Sequence, residues 1–187
     1  MNDINGILWR RFKYFLSPQL DIYKHLSPKV ADKRVLEVGF GTGLGTLQLA
    51  STAKHVTAIE VDRLAVQFAS DVFPLHNVSW EWGDITRSPY GDYDDIVCLE
   101  VLEHIPYWSE ALENIVKMLR GTLYISGPNA NASLRKNDKH EREWTAKEFA
   151  DALSRYFSDV KMMDYTLTDW QDTDTRLSPL LAVCSNG

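Results

Sequence analysis

The stretch that decides the fold is Val35–Gly45, which reads VLEVGFGTGLG. Its first residues form an apolar run typical of a buried parallel strand, and glycine then occupies every second position. Because glycine has no Cβ, it lets the backbone turn sharply and come close to a ligand. The following segment, Leu44–Ala50, predicts the first turns of a helix whose free N–H groups face the loop. The stretch therefore predicts a nucleotide site built from a strand, a glycine loop and a helix.

The spacing of the glycines indicates which nucleotide binds. The dinucleotide pattern G-x-G-x-x-G fails, because its sixth position is Leu44 when counted from Gly39 and Thr46 when counted from Gly41. The loop also lacks the Gly-Lys-Ser/Thr of a phosphate-binding loop. Glu37 stands two residues before the first glycine, and a carboxylate there favours a cationic cofactor. The resulting pattern, Glu-x-Gly-x-Gly-x-Gly, resembles the first motif of the class I S-adenosylmethionine-dependent methyltransferases.

Two further segments match this family in order. Val56–Glu60 is a second short strand with an acid at its carboxyl end, and Val78–Trp82 is a third, followed by Gly83-Asp84-Ile85. The resemblance implies that Glu60 accepts from the ribose hydroxyls, that Asp84 accepts from the adenine amino group and that Ile85 packs on the ring. The cofactor-binding residues that it implies are Glu37, Gly39, Phe40, Gly41, Gly43, Glu60, Val61, Asp84, Ile85, Leu99 and Glu100.

The remaining strands predict an α/β fold with a Rossmann-like sheet of seven strands. Segments 92–100 and 121–129 match the family's fourth and fifth strands. The last two strands, 160–167 and 177–184, are separated by only about ten residues, too few for a helical crossover, and so predict an antiparallel hairpin. We therefore expect a mostly parallel sheet with one antiparallel strand and helices on both faces. Residues 1–29 are predicted to form a helical arm or lid, and residues 30–187 the S-adenosylmethionine-binding methyltransferase domain.

Hydrophobic spacing and cap signals predict where several helices lie. A helix over 7–25 is expected in the N-terminal arm, where apolar residues recur at helical spacing. Ser109 is the expected cap of a helix over 109–119, and Gly121 its expected stop. Thr145 and Glu148 form a capping-box pattern for a helix that runs to Phe157.

Composition limits the class of protein. The chain has 187 residues, enough for one domain with a full core, and a hydrophobic content of 44%. Its formal net charge of −6 argues against nucleic acid as the main partner, and no apolar stretch reaches the length of a membrane span. Two cysteines, Cys98 and Cys184, do not form a disulfide framework. We expect a cytoplasmic monomer or homodimer that acts on a small molecule.

The acceptor side should follow the fourth strand, where Glu100–Pro106 reads EVLEHIP. Helical spacing would put Glu100, Glu103 and His104 on one side, and His140 lies in a later polar loop. Three interpretations stay open: Glu103 and His104 shape the fold and the methionine end of the cofactor, or His104 or His140 is a general base. In the third, all four side chains bind a divalent cation.

The third interpretation has its own resemblance. Glu-x-x-Glu-His over 100–104 and His-x-x-x-Trp-Thr-x-x-Glu-Phe over 140–149 are similar to the metal-dependent 2′-O-methyltransferases of small-RNA 3′ ends, although Lys139 and Arg142 depart from their pattern. The first motif also resembles ubiquinone-pathway O-methyltransferases. We expect methyl transfer to a small molecule at oxygen, with His104, His140 and Glu103 as catalytic residues and no metal. The alternatives are a metal-dependent RNA enzyme and a domain that binds the cofactor without turnover. We expect His140 to point away from Glu100 and His104.

Overall fold

The computed structural model describes residues 18–87, 91–132, 138–163, 167–168 and 179–187. The helices are α1 (Pro18–Leu26), α2 (Leu44–Ala50), α3 (Arg63–Val72), α4 (Trp108–Met118) and α5 (Ala146–Leu153). The strands are β1 (Arg34–Val38), β2 (His55–Glu60), β3 (Val78–Trp82), β4 (Tyr93–Leu99), β5 (Leu119–Gly127), β6 (Asp159–Met163) and β7 (Leu180–Ser185). Short 3₁₀ turns cover Ser27–Val30 and Leu102–His104.

The strands form one seven-stranded sheet in the order β3-β2-β1-β4-β5-β7-β6. All neighbours from β3 to β5 are parallel, and β7 runs antiparallel to both β5 and β6. The predicted mostly parallel sheet and its final hairpin are confirmed. Val38 pairs with Ile59 of β2 and with Cys98 of β4, so the carboxyl ends of the three strands meet at one edge. Strand order reverses between β1 and β4, where an open α/β sheet binds its ligands.

Two apolar cores cover the two faces of the sheet. Alternate residues of β1 point to opposite sides, since Leu36 belongs to one cluster of buried residues and Val35 to the other. The cluster with Val35 also contains residues of α1, α2 and α3, and the cluster with Leu36 contains residues of α4 and α5. This confirms the prediction of helices on both faces. Cys98 and Cys184 are buried free thiols.

Helix α5 begins with the predicted capping box. The Thr145 hydroxyl accepts from the Glu148 backbone N–H at 3.3 Å, and a Glu148 carboxylate oxygen accepts from the Thr145 backbone N–H at 2.9 Å. The helix ends at Leu153, four residues before the predicted end at Phe157, and a turn follows it. Helix boundaries are weakly encoded unless side chains fix them, and the side-chain capping hydrogen bonds of α5 lie at its first end.

The predicted boundaries of α4 are wrong at both ends. The helix begins at Trp108 after Tyr107, whose side chain makes no capping hydrogen bond, so Ser109 is not the cap. Gly121 is not a helix stop but an interior residue of β5. A Cβ at this position would lie 2.6 Å from the Asp94 carbonyl oxygen, which shows that close contact with β4 calls for a residue without a side chain here.

The described part of the N-terminal arm is α1, whose side chains Ile22, Tyr23 and Leu26 are buried in the core. The rest of the predicted arm, 1–17, lies outside the described residues, so the lid interpretation stays a prediction. The described part of the predicted strand over 160–167 lies in β6 (Asp159–Met163). Residues 164–166 lie outside the described residues, and Leu167 has a φ of +61°. Among the residues described, no helix combines the length and the apolarity needed to cross a bilayer.

Candidate active site

A cavity of about 620 Å³ opens at the carboxyl ends of β1, β2 and β4. Its volume is in the range of sites for small molecules and cofactors. Predicted cofactor residues line it, namely Gly39, Gly41, Glu60, Val61, Asp84, Ile85 and Glu100. His104, Ile105, Pro106 and Tyr107 line it as well, on the segment between β4 and α4. One cavity therefore joins the glycine loop to the predicted acceptor side.

The three loop glycines have positive φ angles, +72° at Gly39, +59° at Gly41 and +81° at Gly43, but their surroundings differ. A Cβ on Gly41 would meet no atom within 4 Å, since this residue borders the cavity. A Cβ on Gly39 would lie 2.5 Å from the Val101 side chain, and one on Gly43 would lie 3.0 Å from the Trp80 ring. The space that a Cβ would occupy is therefore open only at Gly41. At Gly39 and Gly43 that space is limited by the packed side chains of Val101 and Trp80.

Glu60 ends β2 and is held by three backbone donors. Its Oε2 accepts from the Gly41 N–H at 3.0 Å, and its Oε1 accepts from the N–H groups of Val61 and Asp62 at 2.8 and 3.1 Å. The carboxylate thus ties the glycine loop to the end of β2, beside the cavity. This network fixes the carboxylate before any ligand enters.

An indole that the sequence analysis missed supports Val61. The Trp82 Nε1–H donates to the Val61 carbonyl oxygen at 3.0 Å, and the Arg63 guanidinium lies 3.8 Å above the Trp82 ring. Val61 lines the cavity although its side chain is 63% exposed. The sequence offered one signal for Trp82, namely the alternating pattern of β3, which ends at this residue.

Asp84 and Ile85 follow β3 and form the far wall of the cavity. The Asp84 Oδ1 accepts from the backbone N–H and the hydroxyl of Thr86, and its Oδ2 accepts from Arg87 Nε at 3.2 Å. Burial raises the pKa of Asp84, but these hydrogen bonds and the Arg87 charge outweigh it, so the pKa is lowered. An ionised acceptor therefore lies beside the buried, apolar Ile85.

Four predicted cofactor residues are not among those that line the cavity: Glu37, Phe40, Gly43 and Leu99. Glu37 is fully buried, and its Oε1 accepts from the Tyr23 hydroxyl at 2.7 Å. Its Oε2 has no hydrogen-bond partner among the described residues, and burial raises the pKa of Glu37 to about 7. Phe40 packs edge-on against Trp80, with ring centroids 4.9 Å apart.

The segment after β4 is not the helix that would place three side chains on one side. Glu100 has a φ of +55°, and the 3₁₀ turn begins only at Leu102. Glu100 Oε1 accepts from the Ser126 hydroxyl at 2.9 Å, while the Glu103 side chain is 1% exposed and the His104 side chain 46%. The chain is not helical from Glu100 onward, so the prediction of one shared helical face is wrong. Burial raises the pKa of Glu100 to about 7.

Glu103, His104 and His140 come together beside the cavity. One ligand atom from each lies within 4.8 Å of the others, and Glu100 is not part of this group among the described residues. The rings of His104 and His140 meet edge to face, with centroids 5.1 Å apart. The prediction that His140 points away is therefore wrong for His104, whereas Glu100 stays outside the described group. The backbone N–H of Glu141, next to His140, donates to the Glu103 carbonyl oxygen at 2.7 Å and so ties the later loop to the turn after β4.

Both imidazoles are held through Nδ1. His104 Nδ1 lies 3.0 Å from the Lys139 carbonyl oxygen, and His140 Nδ1 lies 2.8 Å from Glu143 Oε1. A carbonyl or carboxylate oxygen only accepts, so each Nδ1 donates. Glu143 was missed in the sequence, where the only signal was its spacing of three residues from His140.

Glu103 adds a buried carboxyl group to the two imidazoles. Its Oε2 has no hydrogen-bond partner among the described residues. Burial first, and then the charges of Glu100 and Glu143, raise the pKa of Glu103 to about 9. One buried carboxyl oxygen and two imidazole nitrogens suit a borderline divalent cation, so these residues fit such an ion.

The chain matches the family model described as a methyltransferase domain over residues 8–163. It is 30% identical over 153 residues to a probable S-adenosylmethionine-dependent methyltransferase of Mycobacterium tuberculosis, covering 75% of this chain and 54% of the relative. It is 28% identical over 111 residues to a ubiquinone biosynthesis O-methyltransferase of Aromatoleum aromaticum, covering 54% of this chain and 47% of the relative. The chain thus spans about half the length of these curated relatives.

A solved structure of similar fold contains the cofactor product. The N-methyltransferase NodS of Bradyrhizobium japonicum, in complex with S-adenosyl-L-homocysteine, matches with a TM-score of 0.66 and 26% identity over 90% of this chain and 85% of that one. The glycine loop, the Glu60 and Asp84 acceptors and these matches agree on one cofactor. The chain belongs to the methyltransferase-domain family of class I S-adenosylmethionine-dependent enzymes.

Proposed function

We propose that this chain transfers the methyl group of S-adenosylmethionine to an oxygen atom of a small-molecule acceptor. The observation that carries the proposal is the single cavity that runs from Gly41, Glu60 and Asp84 to His104. A ligand that fills the first end presents its other end to His104, whose ring contacts that of His140. The part of the cavity between His104 and Tyr107 is left for the acceptor.

The cofactor is proposed to lie along the carboxyl ends of the strands. Glu60 accepts from the ribose hydroxyls, Asp84 accepts from the adenine amino group and Ile85 packs against the ring. The backbone donors that already hold Glu60 keep its carboxylate in place, so little ordering is needed on binding. The glycine loop borders the methionine end, where Gly41 leaves room for it.

The chemistry that the protein must supply is positioning and removal of one proton. The acceptor oxygen attacks the methyl carbon, the C–O bond forms as the C–S bond breaks, and S-adenosylhomocysteine leaves. Alignment of the two reactants can contribute about 7–11 kcal/mol in favourable cases. The hydroxyl proton passes to an imidazole Nε2 of His104 or His140, and such a base contributes typically 10²–10⁴-fold. Glu103 lies beside both rings and shapes this end of the site.

An oxygen acceptor and a small molecule are supported by separate observations. The ubiquinone biosynthesis relatives are O-methyltransferases, and one of them is 32% identical over 117 residues. The formal net charge of −6 disfavours a polyanionic substrate. Hydroxyl-bearing aromatic molecules suit a cavity whose acceptor end includes Ile105, Pro106 and Tyr107.

The experiment is an acceptor screen that follows release of S-adenosylhomocysteine. Catechol is tested beside its amino and thiol analogues, so that only the nucleophilic atom differs. We expect turnover with the hydroxyl compound and a loss of at least 100-fold in kcat for His140→Ala or His104→Ala, with unchanged S-adenosylhomocysteine affinity. Turnover of the amine alone would refute the oxygen assignment. Absence of turnover with every hydroxyl compound, despite tight cofactor binding, would favour a binding domain without catalysis.

A second candidate is methyl transfer assisted by a divalent cation, favoured by the unpartnered Glu103 Oε2 next to two imidazoles. Glu103, His104 and His140 would hold the ion, which supplies Lewis-acid activation of a hydroxyl, including an RNA 2′-hydroxyl. Loss of activity in EDTA and its return with Mn²⁺ would establish this form. Unchanged activity in EDTA would leave the imidazole base as the proton acceptor.

A further inference from the structure

Glu100 has a backbone conformation that residues with a side chain rarely adopt. Its φ of +55° lies in the left-handed region, where the Cβ comes too close to the following carbonyl oxygen. Such a conformation persists only where the surrounding structure holds it, and it is typical of functional sites. Glu100 directly follows β4 and lines the cavity, so this strained residue belongs to the site.

One hydroxyl group holds Glu100 at two points. Ser126 Oγ accepts from the Glu100 backbone N–H at 3.0 Å and donates to Glu100 Oε1 at 2.9 Å. Ser126 pairs with Leu99 in the sheet and is fully buried, so its own position is fixed by β5. A single buried hydroxyl therefore orients both the backbone and the carboxylate of Glu100.

The Glu100 carboxylate belongs to the segment where the glycine loop meets the acceptor side. Val101, the next residue, packs on the loop, since a Cβ on Gly39 would lie 2.5 Å from its side chain. His104 follows on the same segment and also lines the cavity. In the proposed layout this junction receives the methionine end of the cofactor, which carries the reacting sulfur.

The charges around the cavity favour a cation. The described residues that line it include three carboxylates, Glu60, Asp84 and Glu100, but neither lysine nor arginine. Glu60 and Asp84 lie at the proposed adenosyl end, which leaves Glu100 as the carboxylate for the other end. S-adenosylmethionine carries a positive sulfonium there, whereas S-adenosylhomocysteine carries a neutral thioether. A carboxylate near the sulfur therefore attracts the substrate form more strongly than the product form.

We infer that Ser126 is a positioning residue which holds Glu100 at this junction, and that the Glu100 carboxylate selects the sulfonium form of the cofactor over the thioether product. The inference rests on the proposed placement of the cofactor and not on the identity of the acceptor. Burial raises the pKa of Glu100, and the hydrogen bond from Ser126 opposes that rise, so the hydroxyl also favours the charged form. Methyl transfer removes the positive charge, so the same carboxylate holds the product less tightly and favours its release.

The test compares two ligands that differ only at the sulfur. Calorimetry in mildly alkaline buffer, without an acceptor, gives the dissociation constants of S-adenosylmethionine and S-adenosylhomocysteine for the wild type and each variant. Sinefungin, which has a charged amine in place of the methylated sulfonium, repeats the cationic case with a ligand that transfers no methyl group.

We expect Glu100→Gln to weaken binding of both cationic ligands by about tenfold or more, and to change S-adenosylhomocysteine binding by less than about threefold. Ser126→Ala should shift the ratio of the two affinities in the same direction by about fivefold, and Ser126→Thr, which keeps a hydroxyl, should restore it. Ser79→Ala is the matched control: it removes a hydroxyl of β3 that contacts His55, and both affinities should stay unchanged.

The outcomes separate this inference from the proposed function. Equal losses of affinity for all three ligands would overturn it, because a merely structural role does not distinguish a sulfonium from a thioether. An unchanged ratio in Glu100→Gln would overturn the selection whether or not Ser126→Ala folds, and would leave the cofactor assignment intact. A ratio that shifts in Glu100→Gln but not in Ser126→Ala would overturn the positioning role. A shift in both variants, together with methyl transfer to amines alone, would support the inference while the oxygen acceptor of the proposed function fails.

Discussion

Replacement of Glu37 by glutamine should remove a large part of the pH dependence of folding. Glu37 is fully buried beside the glycine loop, with one oxygen bonded to Tyr23 and the other without a partner among the described residues. Burial raises its pKa from 4.5 to about 7. Each unit of pKa difference between the folded and unfolded states corresponds to 1.36 kcal/mol, so the rise amounts to about 3 kcal/mol.

The direction follows from proton uptake. The folded state holds the proton more tightly than the unfolded state, so this contribution to stability is complete below the unfolded pKa of 4.5 and is lost as the pH rises to about 7. A glutamine carries no titrating proton. The free energy of unfolding of Glu37→Gln minus that of the wild type should therefore be about 3 kcal/mol larger at about pH 7 than below pH 4.5. Any destabilisation by the amide that does not depend on pH is the same at both pH values and cancels when the two values are compared.

The assay is urea unfolding of both proteins without cofactor, at about pH 5 and about pH 8. We expect Glu37→Gln to gain stability relative to the wild type at the higher pH. Glu110→Gln, which replaces an exposed acid in the first turn of α4, is the matched control and should show little change. A difference between Glu37→Gln and wild type that is the same at both pH values would refute the buried-carboxyl argument.

Four further substitutions test the packing of the glycines and the support from Trp82. Gly41→Ala should leave the protein folded but weaken S-adenosylhomocysteine binding at least tenfold in calorimetry, because the added Cβ enters the cavity. Gly43→Ala should lower the free energy of unfolding by about 2–4 kcal/mol, because the added Cβ meets the Trp80 ring. Equal effects of the two on stability would contradict this division. Gly121→Ala should destabilise by about 1–3 kcal/mol in urea, with cofactor affinity per folded molecule unchanged. Trp82→Phe, which loses the hydrogen bond to Val61, should weaken cofactor binding by about 1 kcal/mol, and an unchanged dissociation constant would exclude that support role.

Local pattern was enough for the elements that carry the cofactor. The apolar run before Gly39 and the glycines after it predict β1, the loop and α2, because backbone conformation and burial there depend on neighbours in sequence. The capping box at Thr145 was predictable for the same reason. The mostly parallel seven-stranded sheet followed from the family resemblance, and the final antiparallel pair from the short connection between the last two strands.

Features that depend on distant contacts were not predictable. Gly121 reads as a helix stop, but the nearby Asp94 carbonyl of β4 gives it a different role. Glu37 was predicted to bind the cofactor, and its hydrogen bond from the Tyr23 hydroxyl of α1 joins residues fourteen positions apart that no local pattern connects. His140 lies thirty-six residues after His104, and the hydrogen bonds that bring the two rings together, from Glu141 to Glu103 and between His104 and Lys139, are contacts between distant parts of the chain.

The most direct test of the cofactor assignment is calorimetry of S-adenosylhomocysteine binding to the wild type and to Glu60→Ala. We predict micromolar binding to the wild type, equivalent to about −8 kcal/mol, and no binding of NADH or ATP. Glu60→Ala should weaken binding by about 1–3 kcal/mol, since the ribose hydroxyls lose their acceptor. NADH that binds more tightly than S-adenosylhomocysteine, or a Glu60→Ala variant with unaltered affinity, would contradict the account.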